Sequence, residues 1–238
     1  TSSGTAEMFF DDWQFNFTSN SEEESNYLEA FTDDFSSLDT DRWAVINGSD
    51  IKQSLDGAGK WRANGSVSEA GGIDAAILRT AKNLSGESFT ASVLVNLTNT
   101  TSTMAENDSA LIIFGSMDSE GGVDAACFLY YNLSRSLILS ASGDNPEFEV
   151  SLGEDTLTMN YNSSNNVTTC YYGSESSSTD SAPINNTFTL GFMSVVMNDE
   201  GGATAGDFLA YFDDVNFTYG IYTPSEDEEG GEDFLFNG

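Results

Sequence analysis

Residues 89–97 read Phe-Thr-Ala-Ser-Val-Leu-Val-Asn-Leu, and their alternation decides the fold class. Phe89, Ala91, Val93, Val95 and Leu97 fall on one side of an extended chain and Asn96 on the other. Successive side chains of a strand point to opposite faces, so a period of two marks one buried and one solvated face. The same period runs through Trp13, Phe15 and Phe17 against Gln14, Asn16 and Thr18. Further strands are expected at 109–114, 125–133, 136–141, 147–152, 156–161, 167–172, 187–197 and 207–219, separated by Gly, Asn, Asp and Ser clusters. Helical signal is confined to SEEESNYLEAF at 21–31, where Ser21 and Glu24 form a capping box, so one short helix is expected there. A recurring Glu-(Ala)-Gly-Gly phrase at 69–78, 120–129, 199–209 and 228–236 has unequal intervals, which points to one kind of turn launching several strands. The expectation is an all-β, two-sheet antiparallel sandwich.

Of the chain's 238 residues, 39 are acidic and 7 basic, a formal net charge of -32, and no Lys or Arg follows Arg135. That balance excludes nucleic acid and anionic lipid surfaces as partners. No apolar run approaches the roughly 18 residues needed to span a bilayer. The N-terminus lacks the basic-then-apolar pattern of a secretory signal, so the chain is expected to be a mature form.

Asn-X-Ser/Thr sequons stand at Asn16, Asn47, Asn64, Asn83, Asn96, Asn99, Asn107, Asn132, Asn162, Asn166, Asn185 and Asn216. With 20 Asn and 53 Ser plus Thr in the chain, composition alone would produce only about 4 to 5. The excess implies export, covalent N-glycans and an extracellular or cell-surface location. In that oxidising compartment Cys127 and Cys170, the only two cysteines, are expected to form one disulfide between neighbouring strands, the alternative being two buried thiols.

The chain has no histidine, which excludes Ser-His-Asp and Cys-His catalysis and histidine metal ligation. Carboxylate-pair glycoside hydrolysis is the enzymatic option that remains. FTDDFSSLDTDRWAVINGSD at 31–50 and FLAYFDDVNFTYG at 208–220 resemble the opening and closing strands of concanavalin A-like and laminin G-like jelly rolls. The resemblance implies a jelly roll whose terminal strands lie side by side. It also implies a comparison with laminarinase-type glucanases, which carry a Glu-X-Asp-X-Glu strand. GEDTL at 153–157 and EFEV at 147–150 both depart from that pattern, so no enzyme activity is expected. Side-by-side terminal strands would bring Asp33, Asp34, Asp213 and Asp214 together, either as a structural calcium site or as solvated pairs. Trp43, Trp61 and the Tyr-rich strands are candidates for sugar stacking or for the core.

The expected organisation is an extension strand at 1–19, a connector with the short helix at 20–31, a jelly roll at 32–222, and an acidic tail with an apolar tip at 223–238. Phe9, Trp13, Phe15 and Phe17 at one end and Phe234, Leu235 and Phe236 at the other are candidate contacts between copies. The functional expectation is a non-enzymatic subunit of an extracellular filament or coat, polymerising with copies of itself by donating a terminal strand. A lectin-like module binding extracellular polysaccharide and a divergent glycoside hydrolase are the alternatives.

Overall fold

The computed structural model describes residues 28–67, 72–98, 109–117, 123–131, 137–141, 148–151, 153–184, 188–198 and 206–221. These residues form two antiparallel sheets packed face to face. The eight-stranded sheet runs in the order β13 (Glu175–Asp180), β12 (Val167–Tyr172), β11 (Glu154–Asn162), β6 (Phe89–Thr98), β15 (Gly206–Tyr219), β4 (Trp61–Val67) and β3 (Lys52–Leu55). Its eighth strand, β1 (Phe31–Asp33), pairs with β15 beyond the end of β4. The seven-stranded sheet runs β10 (Phe148–Val150), β9 (Leu137–Ala141), β8 (Val123–Tyr131), β7 (Ser109–Met117), β14 (Thr189–Asn198), β5 (Gly72–Thr80) and β2 (Trp43–Ile46). β1 and β15 are the first and last strands and lie side by side, Phe31 opposite Phe217.

The alternation read in 89–97 lines one side of the core. Phe89, Ala91, Val93, Val95 and Leu97 are all buried. Aromatic rings bridge the sheets: Phe114 stacks on Phe192 at 4.8 Å, and Phe192 meets Phe212 at 5.2 Å. Three strands begin within the Gly-Gly phrases, β5 at Gly72, β8 at Val123 and β15 at Gly206.

Two covalent or polar ties hold the layers in register. Cys127 on β8 and Cys170 on β12 form a disulfide. It crosses the core between opposite sheets and does not join neighbouring strands as the sequence suggested, because each cysteine occupies an inward position of its own sheet. At the opposite margin, Asp74 on β5 accepts N–H bonds from Ser49, Asp50 and Ile51, the segment leading into β3 of the other sheet. Gly48 passes so close to the Asp74 carboxylate that a Cβ there would overlap it. Burial works to raise the Asp74 pKa, but the N–H bonds from Ile51, Asp50 and Ser49 hold it below the usual carboxylate value.

The expected helix at 21–31 falls mainly outside the described residues. Its last part is not helical: Leu28 is buried, residues 28–30 belong to no helix or strand, and Phe31 opens β1. Leu28 donates its N–H to the Asn83 carbonyl and accepts from the Tyr219 hydroxyl at 2.6 Å. Gly220 donates to Ser88. Both described ends of the chain therefore leave from the same pole of the sandwich. The extension strand at 1–19 and the acidic tail at 223–238 lie outside the described residues.

Candidate functional site

Inward positions of the eight-stranded sheet are apolar, so their neighbours along each strand face outward. On this outer face Thr90, Thr158 and Asn160 are themselves buried, and Thr90 Oγ1 donates to Asn160 Oδ1 at 2.8 Å. Two rows beyond Thr158 on the same face, Arg62, Tyr211, Asn96 and Glu154 form a row across four strands. Lys60 bridges this region, its Nζ lying 2.6 Å from Glu154 Oε2 and 3.9 Å from Asp213 Oδ2. The bond to Glu154 raises the Lys60 pKa, whereas burial and the adjacent Asp214 raise that of Asp213. Arg62 Nε is buried and has no hydrogen-bond partner among the described residues.

Seven of the twelve sequons fall on described residues, and none of those seven asparagines is buried. Asn64 on β4, Asn96 on β6 and Asn216 on β15 share the outer face of the eight-stranded sheet. Their strands are neighbours although the residues lie far apart in sequence. Asn47 follows β2, Asn83 lies between β5 and β6, and Asn162 and Asn166 flank the β11–β12 turn. Asn166 takes φ 54, a left-handed conformation that asparagine tolerates better than most residues. Asn16, Asn99, Asn107, Asn132 and Asn185 lie outside the described residues.

The outer face of the seven-stranded sheet has the opposite chemistry. Ile46, Ile77, Met193, Ile113 and Phe128 form one row across five strands. Val195, Leu111 and Tyr130 belong to the next. Ile46 and Ile73 are 45% and 68% exposed. Among the described residues no sequon lies on this face.

Asp33, Asp34 and Asp214 line a cavity of about 580 Å³ at the β1–β15 junction, whereas Asp213 faces Lys60. Asp33 is committed to its own loop. Its Oδ1 accepts the Phe35 N–H at 2.9 Å, and its Oδ2 accepts from Arg42 Nη1 at 3.1 Å and Trp43 Nε1 at 2.8 Å. Asp34 accepts the Ser36 N–H, which holds its pKa below the usual value. These bonds stabilise a sharp turn in which buried Phe35 takes φ 48. Among the described residues no group of three or more acidic, cysteine or histidine side chains is arranged to hold a metal ion. Trp43 and Trp61 are each only 2% exposed, so both fill the core and neither forms a sugar platform. Phe35 packs between them, with ring centroids 5.6 and 6.0 Å away. Sequence reasoning missed the Lys60–Glu154–Asp213 cluster, because its members lie in three separate segments and only the β11–β6–β15–β4 order gathers them.

No protein-family model matches the chain, and no curated protein sequence matches it. Its backbone is nonetheless similar to solved structures. An endo-1,3-beta-glucanase from Streptomyces sioyaensis superposes with TM-score 0.56 at 14% identity, covering 82% of this chain and 98% of that one. The Emp47p carbohydrate recognition domain gives 0.51 at 13% identity, covering 83% and 96%. A sialidase gives 0.55 at 10% identity over 80% of this chain, which spans only 18% of the sialidase's length. The chain has the concanavalin A-like jelly-roll fold. At these identities the likeness establishes the architecture alone, since this fold carries lectins and glucanases alike.

Proposed function

We propose that this jelly roll is a non-enzymatic, N-glycosylated structural subunit of an extracellular filament or surface coat, polymerising through its N-terminal segment. The observation that carries the reading is the segregation of its two outer faces. Glycans on Asn64, Asn96 and Asn216 would cover the eight-stranded sheet with neutral, hydrated sugar, leaving the apolar seven-stranded face free to meet protein. A subunit in an ordered array needs such sidedness: one surface for solvent and one for its neighbours. The donated element is residues 8–18, in which Trp13, Phe15 and Phe17 alternate with polar positions. Non-enzymatic character is supported by the engagement of Glu154 and Asp213 with Lys60, which ties up the carboxylates of the polar face. Negative-stain microscopy and size-exclusion chromatography of the full chain against residues 20–238 test the reading. Filaments or higher assemblies should form only with the full chain; assembly that survives the deletion rejects strand donation.

A second reading, a lectin-like module for extracellular polysaccharide, is favoured by the buried, unpartnered Arg62 Nε beside Tyr211 and Asn96. That row offers a charged donor, an amide and an aromatic ring, groups suited to sugar hydroxyls and ring faces. The two readings compete for one surface. A glycan on Asn96 would occupy the row, so peptide mapping of Asn96 occupancy discriminates them.

A further inference from the structure

We infer that the outer face of the seven-stranded sheet is the acceptor for residues 8–18 of a neighbouring copy, which would lie across the Ile77–Met193–Ile113 row as a third layer. The inference rests on the proposed assembly and adds the surface it uses. The first argument is electrostatic. In a chain of net charge -32, two copies approach with least repulsion where side chains are uncharged. The row through Met193 carries no charged residue, the row through Val195 carries one, Glu149 at its β10 end, and Arg79 stands in the row on the other side of Met193. Residues 13–18 of the donor, Trp-Gln-Phe-Asn-Phe-Thr, are also uncharged.

The second argument is the alternation of the donor. With Trp13, Phe15 and Phe17 set against the apolar rows, Gln14, Asn16 and Thr18 point away, and the sequon at Asn16 keeps its glycan in water. Alternation alone would equally suit a strand added at the β2 edge, apolar side against the facing layer, but β2 is only four residues long, and the sequon asparagine Asn47 follows it directly.

The third argument is reach. The described chain starts at buried Leu28, held beside Asn83 just past the end of β5. Ten residues lie between Phe17 and that anchor, eleven Cα steps that span about 36 Å when extended. That length would allow the segment to clear its own pole and reach an adjacent molecule.

The test compares the full chain with Ile77→Asp/Met193→Asp, and with Ser92→Asp on the opposite outer face as a control. Sedimentation should show the critical concentration for assembly rising about 100-fold in the first variant and staying unchanged in the second. Circular dichroism reports whether each remains folded. Trapping does not depend on that variant folding: copies carrying Phe15→Cys are mixed with differently tagged copies carrying Met193→Cys and oxidised. A disulfide between the two tags supports the inference. A bond that forms only within single chains of the double-cysteine variant, at any dilution, overturns it. Assembly that persists in folded Ile77→Asp/Met193→Asp overturns the acceptor face while leaving the filament reading intact; a full chain that never assembles rejects both.

Discussion

On the outer face of the eight-stranded sheet stand Asn64, Asn96 and Asn216; at comparable positions on the seven-stranded sheet stand Ile77, Met193 and Ile113. Both sets follow the same period of two, and both back onto one shared core. The difference teaches that alternation tells inward from outward, while strand order decides which outward residues become neighbours. Three sequons separated by long stretches of sequence share one face, on β4, β6 and β15, only because those strands are adjacent. The sandwich therefore has two chemically distinct sides whose relation depends on the ties between its layers.

Removing the covalent tie should have the largest effect on that relation. Cys127→Ala/Cys170→Ala is expected to lower stability by about 2–5 kcal/mol. Chemical denaturation, read by circular dichroism, measures the loss. A midpoint equal to the parent's would mean the layers are held together without the bond.

Cutting the polar tie comes next. Asp74→Ala leaves the N–H groups of Ser49, Asp50 and Ile51 without their acceptor and should cost about 1–3 kcal/mol. The Asp74 pKa is depressed in the folded state, so its contribution is present above the ordinary value of 3.8 and is lost as pH falls through the folded value. Melting the parent and the variant from neutral to acidic pH should show their difference shrinking below about pH 4. A gap that stays constant across that range would show that the Asp74 charge is not the source.

The smallest change in stability, with the clearest chemical readout, comes from the sequons. Asn64→Gln/Asn96→Gln/Asn216→Gln should move stability by only about 0.5 kcal/mol, since these side chains are exposed or half-exposed. The intact mass should fall by three glycans. A mass unchanged beyond the substitutions themselves would erase the chemical contrast between the two faces.

The strands of the second half were legible because their alternation is strong. β11 and β12 contribute Leu157, Met159, Tyr161, Cys170 and Tyr172 to the core at every second position. β13, Glu-Ser-Ser-Ser-Thr-Asp, carries no such signal. It is an edge strand whose one buried side chain, Ser177, accepts the Ala141 N–H. β4 contains Asn64, Gly65 and Ser66, residue types common in turns; it is a strand because β15 and β3 pair with it on either side, and Gly65 is needed where the Asp50–Ile51 backbone passes. Gln53 was likewise invisible as a core residue. It is buried because its amide donates to Ala76 O at 2.9 Å and Ser194 Oγ at 3.3 Å while accepting from Trp61 Nε1 at 3.0 Å. The carboxylates at the β1–β15 junction could be placed in sequence as neighbours. The commitment of Asp33 to Phe35, Arg42 and Trp43 depended on a turn that local propensity does not reveal.

The shared exit pole of Leu28 and Gly220 also has a mechanical consequence. Tension drawn between the two ends of the domain acts on β1 and β15 where they emerge together, at the Phe31–Phe217 pair. It would peel the ladder open one pair at a time, Phe31–Phe217 first, then Thr32–Asn216 and Asp33–Val215, instead of shearing all three at once. Domains strung tail to tail along the backbone would therefore yield at low force. Contacts that cross a sheet face spread the same pull over several strands, so a fibre of these domains resists stretching best when force bypasses the main chain.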